Sequence, residues 1–288
     1  MRSIICAHSI YRDKPRNFLD DLSLKDLKNI NKTFDISFDD GYRSVYIYGR
    51  DILNEMKTKT YIFINPGFIE TKKTVWWFEI QDLINLKNEI SFKYHGKFIT
   101  INIYTRREKD KAYRILSKIF KSIDQSQQEY LLTNLKNSSY RNDYSERFMT
   151  WEMIRELASF KNITIGSHTH NHIKLKNENK DIVLREMLES KFCLEKQINN
   201  EIIDFAIPYG DINSYSKEDI RIAQKVGYKY IYTTNANIFA KKKDKLDPYI
   251  VNRLCTRTGY NNKIILIVRL FIKSIRIYVF SRFNNHNL

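Results

Sequence analysis

The sequence predicts an α/β fold built on a parallel sheet, and three observations carry that expectation. Thr33 to Phe38 alternates apolar Phe34, Ile36 and Phe38 with polar Asp35 and Ser37, the period of a strand. A helical stretch from Tyr48 to Met56 and a β-rich run from Lys59 to Ile64 follow, and strand-helix-strand in succession is the unit of parallel pairing. The same alternation resumes after residue 150, so one large domain with an insertion is expected for the 288 residues.

In chain order, Ile4 to Ala7 reads as a first strand, and Leu24 to Ile30 as a helix that Ser23 caps, with Asp26 at its third position. The strand ending at Asp39-Asp40 is expected to bury one face, and Asn65-Pro66-Gly67 to turn the chain after Ile64. From about residue 70 to 142 the texture changes. Trp76-Trp77-Phe78 leads an apolar helix to Leu86, two short strands flank Gly96, and helices are expected over Lys109 to Ile123 and Glu129 to Leu135. Ser126 with Glu129 fits a capping box for the last of these. This mainly helical insertion is expected to lie over or beside the mouth of the main domain, with Trp76 and Trp77 as lid or core residues or, alternatively, as platforms for sugar rings. Thr150 caps a helix through Leu157, Asn162 to Ile165 is a strand ended by Gly166, and Asp181 to Ile198 is a helix. Ile203 to Ile207 is a strand, Ser216 opens a helix that Gly227 closes, and Tyr228 to Tyr232 is a further strand.

Composition narrows the partners. A hydrophobic content of 42% supplies a sizeable core, and a formal charge of +16 draws the chain to acidic glycans, anionic lipid head groups or nucleic acid. The aromatic residues fall in strand-like or amphipathic runs and no recognition-helix or zinc-finger pattern occurs, so nucleic acid is not expected. Cys6, Cys193 and Cys255 are far apart and form no Cys-x-x-Cys pair, which points to a reducing compartment rather than a disulfide framework. Met1 to His8 has too short an apolar run for a signal peptide, and a cytoplasmic location is expected. After Asp247 there is no acidic residue, and Ile264 to Phe283 is apolar with Arg269, Lys273 and Arg276 on one helix face. Such a basic amphipathic C-terminal helix is too charged to span a bilayer; it either docks on the protein or lies on a membrane surface, the latter being favoured because no acid balances the charge, and for a cytoplasmic chain that surface is the inner face.

Three stretches carry chemistry. Asp39 and Asp40 stand where a strand stops, and a backbone that turns at Gly41 can aim both into one mouth. One acid can then hold a metal while the other handles a proton, the alternative being a solvated turn. His168, His170 and His172 fall within five residues. At one helical turn His168 and His172 share a face and direct two nitrogens at one ion, while His170 points elsewhere. Two histidines with a carboxylate suit zinc and other borderline divalent ions; a solvated histidine-rich turn is the alternative. Phe205 to Gly210 offers no catalytic side chain and reads as a turn that can line a pocket and present a backbone N–H.

In this order the stretches resemble the polysaccharide deacetylase family, the NodB-homology or carbohydrate esterase family 4 group, in its exopolysaccharide or surface-glycan form. Ser37-Phe38-Asp39-Asp40-Gly41-Tyr42 is similar to the family's Thr-Phe-Asp-Asp-Gly, Gly166 to His172 to its His-(Ser/Thr)-x-x-His, and Phe205 to Gly210 to its third motif. The likeness runs from about Ile5 to Leu254, broken by the insertion. It implies a distorted (β/α) barrel with its site at the carboxyl ends of the strands. It also implies that Asp40, His168 and His172 hold a divalent metal, zinc first and cobalt or nickel as alternatives. Asp39 would be the base, and the Tyr209 backbone N–H would help hold the tetrahedral oxyanion.

Two departures matter. Ala206 stands where many members carry an arginine that orients the base, so that support is expected to be missing. Pro248 to Leu254 offers no imidazole where many members place a general acid, and after His172 the only histidine is His286. His8, in a segment similar to the Tyr-His-Ser opening of some members, is the substitute acid; a structural histidine beside the first strand is the alternative. The expected protein is a metal-dependent hydrolase that removes an N-acetyl or other N-acyl group from an amino sugar in a polysaccharide or a lipid- or nucleotide-linked precursor. Its catalytic domain spans 1–254 and a basic tail 255–288. The alternatives are a catalytically weak or inactive glycan-binding or assembly protein on the same fold, and a phosphoester hydrolase, which would ordinarily want more carboxylate ligands.

Overall fold

The computed structural model describes residues 4–12, 21–30, 34–70, 74–234 and 250–255. The chain opens with β1 (Ile4–Ala7), a short parallel pair β2 (Ser9–Tyr11) and β3 (Asp21–Ser23), and α1 (Leu24–Ile30), whose Asp26 N–H donates to the Ser23 hydroxyl at 3.0 Å. β4 (Asp35–Phe38), α2 (Arg43–Glu55) and β5 (Thr60–Ile64) form the expected strand-helix-strand unit, with α2 beginning five residues before the expected start. A long excursion follows: α3 (Pro66–Glu70), α4 (Trp76–Leu86), the hairpin β6 (Glu89–Tyr94) and β7 (Lys97–Asn102), α5 (Arg106–Phe120) and α6 (Gln125–Lys136). Then come α7 (Trp151–Ala158), β8 (Ile163–Ser167), α8 (Lys180–Ile198), β9 (Asp204–Ala206), α9 (Lys217–Val226), β10 (Tyr230–Thr233) and β11 (Ile250–Cys255). The amphipathic helix expected over Ile264 to Phe283 lies outside the described residues. Among the described residues no helix is long and apolar enough to cross a membrane.

Seven parallel strands close into a barrel in the order β1-β11-β10-β9-β8-β5-β4, since β1 pairs with both β11 and β4. Closure explains why β4 departs from its expected half-buried pattern. All four of its residues are buried: Ile36 and Phe38 face the helices, while Asp35 and Ser37 lie on the opposite, lumen side in register with Ile4 and Cys6. The lumen is filled by Ile4, Tyr61, Phe63, Ala206, Tyr232 and Val251. The outer core packs Ile36, Ile62, Ile165, Phe205 and Ile231 against apolar residues of α2, α7, α8 and α9.

The excursion has its own core, in which Trp76, Phe78, Phe92, Leu116, Phe120 and Leu132 are buried together. Its helix starts are set locally. Thr105 with Glu108 makes a capping box for α5, which starts three residues before the expected Lys109. Asp124 with Gln127 makes the box for α6, so the Ser126/Glu129 box is corrected: the acceptor two residues earlier wins because it reaches the N3 amide. His95 and Gly96, both left-handed at φ 48° and 77°, form the hairpin turn between β6 and β7. Gly166 lies inside β8 rather than ending it. A side chain there would meet Phe63 at 2.6 Å, so glycine is demanded by close packing across the barrel.

Candidate active site

The two acids reach one mouth because the backbone reverses hand just after β4. The Asp39 N–H still donates to the Ala7 carbonyl, 3.0 Å, as a last rung of the ladder. Asp40 and Gly41 then follow at φ 68° and 70°. The left-handed φ favours glycine at Gly41, where a Cβ would also press on the end of the Ile64 side chain at 2.9 Å. The histidine stretch works differently from the expected helical turn. It is a loop after β8 in which Thr169 and His172 are left-handed, φ 61° and 56°. Two reversals, rather than a helical pitch, bring the His168 and His172 rings to 5.0 Å. The loop is braced from outside. The Asn65 amide donates to the carbonyls of His168 and Thr169, and Gly67 N–H donates to the His170 carbonyl at 2.9 Å. Buried Glu186 on α8 accepts from the Asn171 backbone and side-chain N–H groups at 2.7 and 2.6 Å.

Three atoms converge at the mouth. Asp40 Oδ1 lies 3.5 Å from His168 Nε2 and 3.3 Å from His172 Nε2. All three residues are buried, and Asp40 Oδ1 has no hydrogen-bond partner among the described residues. A buried carboxylate oxygen left so is costly unless a cation meets it. His168 Nδ1–H donates to the Ala206 carbonyl at 2.8 Å, which turns the Nε2 lone pair inward. Burial lowers both imidazoles, that of His172 furthest, so they present the neutral, ligating form. Burial raises the Asp40 carboxyl, against the pull of the His8 and His168 rings. The donor set, two imidazole nitrogens and one carboxylate within 4.8 Å of one another, fits a divalent cation. His170 takes no part in this convergence.

Asp39 sits beside the triad and is held by a residue that sequence reasoning missed. Arg253 on β11, fully enclosed, donates Nη1–H to Asp39 Oδ1 at 2.5 Å and Nη2–H to Oδ2 at 2.9 Å. Nη1 also donates to the Ser37 hydroxyl at 3.1 Å, and the guanidinium carbon lies 5.1 Å over the Phe63 ring. The support expected to be missing at Ala206 is therefore supplied from another strand. Burial alone would push the Asp39 carboxyl up; the Arg253 guanidinium, with His168, more than reverses this and holds it well below the ordinary carboxylate range. The Cys6 thiol donates to Asp39 Oδ2 at 3.4 Å, and a hydrogen bond with the free Cys255 thiol, together with burial, pushes its pKa up. In sequence Arg253 stands between Asn252 and Leu254 in a short β-rich run, and nothing local marks it as inward-facing.

The other expected site residues also gather here. His8 follows β1 directly, and its charge acts on Asp39, Asp40 and His172. Tyr209, left-handed at φ 64°, sets its ring 4.8 Å from that of His172, and its backbone N–H meets no acceptor among the described residues. Trp77 meets the His172 ring edge-on at 5.1 Å and donates Nε1–H to the Tyr42 hydroxyl, 3.0 Å. Trp76 stacks on Phe120 at 5.2 Å. Both indoles are thus buried wall residues. The α5–α6 turn docks beside the histidine loop: Lys174 Nζ donates to the Lys121 carbonyl, Asn177 to that of Ile123, and Gln125 N–H to Glu178.

Comparison with known proteins agrees with this geometry. The family described as polysaccharide deacetylase matches residues 27–231, well over half of the chain. No curated protein sequence matches. Among solved structures, the chain is similar to the Streptococcus pyogenes deacetylase PplD in complex with acetate, at 16% identity and TM-score 0.53, covering 88% of this chain and 91% of that one. A de-N-acetylase from Aggregatibacter actinomycetemcomitans gives 16% identity and TM-score 0.50 over 90% and 97% of the two chains. IcaB from Ammonifex degensii gives 14%, 0.50, 89% and 91%. At such identities these likenesses speak for the barrel alone, and the match along the sequence speaks for the family. With the paired acids and the histidine loop at the mouth of a closed parallel barrel, the chain belongs to the polysaccharide deacetylase family.

Proposed function

We propose that this chain is a divalent-metal-dependent hydrolase that removes the N-acetyl group of an amino sugar. The observation that carries the reading is the meeting of Asp40 Oδ1, His168 Nε2 and His172 Nε2 beside a carboxylate, Asp39, that a buried guanidinium holds ionised. Asp40, His168 and His172 would hold the cation, zinc being the ion their nitrogen-rich set suits best, with cobalt or nickel as alternatives. Bound there, it would polarise the acyl carbonyl and lower the pKa of water.

The remaining steps belong to the chain. Asp39 takes the proton from the attacking water. Arg253 fixes both of its oxygens through a planar fork, which sets the direction of the remaining lone pairs. The Tyr209 N–H, which meets no acceptor among the described residues, donates to the oxyanion as the acyl carbon becomes tetrahedral. His8, which follows β1 at the mouth, donates a proton to the departing amine. Trp77, Phe68 and Tyr209 exclude water from the far side of His172. The substrate is an amino sugar of a surface glycan or of its lipid- or nucleotide-linked precursor; the charge of +16 and the acid-free tail support an anionic carrier at the cytoplasmic membrane face. Formyl removal and O-deacetylation would use the same groups.

The test is acetate release from N-acetylated oligosaccharides and lipid-linked sugars, with bound metal quantified. Release by the wild type, loss in Asp39→Asn with metal retained, and loss of both in His168→Ala are expected. A metal-loaded wild type that frees no acyl group from any of them would defeat the reading in favour of a glycan-binding protein.

A further inference from the structure

At the amino ends of the strands, opposite the metal-ligand mouth, the barrel wall is parted. β5 and β8 share five register pairs, whereas β8 and β9 share one, Ser167 with Phe205. Below that pair the strands separate, and the gap leads into a cleft of about 500 Å3, within the ~300–1,000 Å3 range of small-molecule sites. Tyr61, Tyr230, Tyr232 and Asp204 line it, with apolar residues beside them.

Its chemistry is mainly acidic. Asp204 is only 6% exposed; one carboxylate oxygen accepts the Tyr232 O–H at 2.6 Å, and the other has no hydrogen-bond partner among the described residues. The Tyr61 and Tyr232 rings, 5.3 Å apart at 47°, are buried in the lumen core and form the floor, while Tyr230 is 40% exposed at the rim. Ala158 and Ile198, the last residues of α7 and α8, both reach the cleft, so two helix C-termini add partial negative charge. Glu201 is a second lining carboxylate, with Lys229 Nζ 3.8 Å from it. Lys59 is the one cation among the lining residues. In a chain of charge +16, carboxylates, π faces and helix C-termini gathered in one cleft select a cation with an organic body.

We propose that this cleft binds a sugar carrying a free amine, with its ammonium on Asp204 and its ring against Tyr230 at the rim. The sugar identity rests on the deacetylase reading, because removal of an N-acyl group leaves a ring-borne ammonium of this kind. The site is separate from the mouth and would tether a partly deacetylated glycan to the enzyme.

Calorimetric titration of the full chain with a glucosamine tetrasaccharide and with its fully N-acetylated counterpart tests this. The amine form is expected to bind the wild type and His168→Ala alike, and Asp204→Asn about tenfold or more weakly. Tyr230→Ala, at a partly exposed ring, is expected to weaken it too and keeps the test open if Asp204→Asn does not fold. The N-acetylated form is expected to be indifferent to both variants. Wild-type affinity for the amine form in Asp204→Asn and Tyr230→Ala, or a tenfold loss in His168→Ala, overturns the proposal. Acetate release is read separately: its failure defeats the deacetylase reading, while the ammonium site stands or falls with Asp204→Asn.

Discussion

Asp39 and Glu79 are both buried carboxylates met by a basic side chain from far along the chain, and the two pairs are built differently. Asp39 lies in the lumen under a bidentate arginine that is wholly enclosed. Glu79, on α4, takes one contact from Lys136 Nζ at 2.6 Å and one from the Asn142 N–H at 2.7 Å, and the lysine side chain keeps 15% of its surface in water. The first pair fixes where a carboxylate points and keeps it ionised beside Asp40, His168 and His172. The second ties α4 to the end of α6, and no catalytic group faces it. Enclosure and a two-point contact mark a pair built for chemistry, whereas a pair that reaches solvent staples the fold.

Arg253→Met would break that comparison most severely. Asp39 would stay buried with no cation, which costs about 3–5 kcal/mol when one partner of a buried pair is removed, and activity should fall about 100- to 1,000-fold with the base misdirected. The pH profile should move as well. A depressed carboxyl contributes stability that is present above its unfolded value and is lost as pH falls through its folded one. With Arg253 gone burial dominates, the carboxyl rises, and the acid limb of activity shifts to higher pH. Arg253→Lys keeps the charge and loses the fork, so activity between the two is expected; a fully active lysine variant would show that charge, not direction, is what matters. Next in size, Glu186→Gln should cut metal affinity by about 10- to 100-fold, because it acts through Asn171 on the loop that aims His172. Zinc retained equally by variant and wild type after dialysis against chelator would end that claim.

How much of this was legible follows the same division. The paired acids and the histidine loop are contiguous in sequence, and turn chemistry at Gly41 announces the first of them. Arg253 lies 214 residues from Asp39. Its meaning depends on β11 lying beside β1 with Arg253 opposite Ile4, and a register of that kind leaves no mark in a single sequence. The helical turn assigned to His168 and His172 failed for a related reason. Asn65, Gly67 and Glu186 shape that loop from β5's end, α3 and α8, and only the first two were near a recognised turn. The polar face expected for β4 was lost because closure buries both sides of a strand.

Lys136→Met sharpens the other half of the comparison. Losing the partner of Glu79 should lower stability by about 2 kcal/mol, less than a fully enclosed pair because the lysine is partly solvated. Acetate release should stay within about twofold. If activity fell as far as in Arg253→Met, the insertion's staple would belong to the catalytic apparatus and the distinction would fail.

A third buried carboxylate, Asp204, has among the described residues no cation in contact and only the Tyr232 hydroxyl as donor, and it carries the smallest effect. Burial raises its carboxyl, and Tyr232 and Lys59 only partly offset this. A carboxyl raised on folding binds its proton more tightly in the native chain, so native stability falls as pH climbs from the ordinary carboxylate value, about 3.9, through the raised one. Above that window the buried charge is a constant cost. Asp204→Asn keeps an acceptor for Tyr232 and removes the titration, so the variant should melt slightly higher than the wild type at neutral pH. The two curves should converge at acid pH, where both side chains are neutral. Melting temperatures followed from about pH 3 to 8 would decide it: a difference that does not change with pH would mean that solvent or Lys59 already compensates Asp204, and that a carboxylate here needs no added cation.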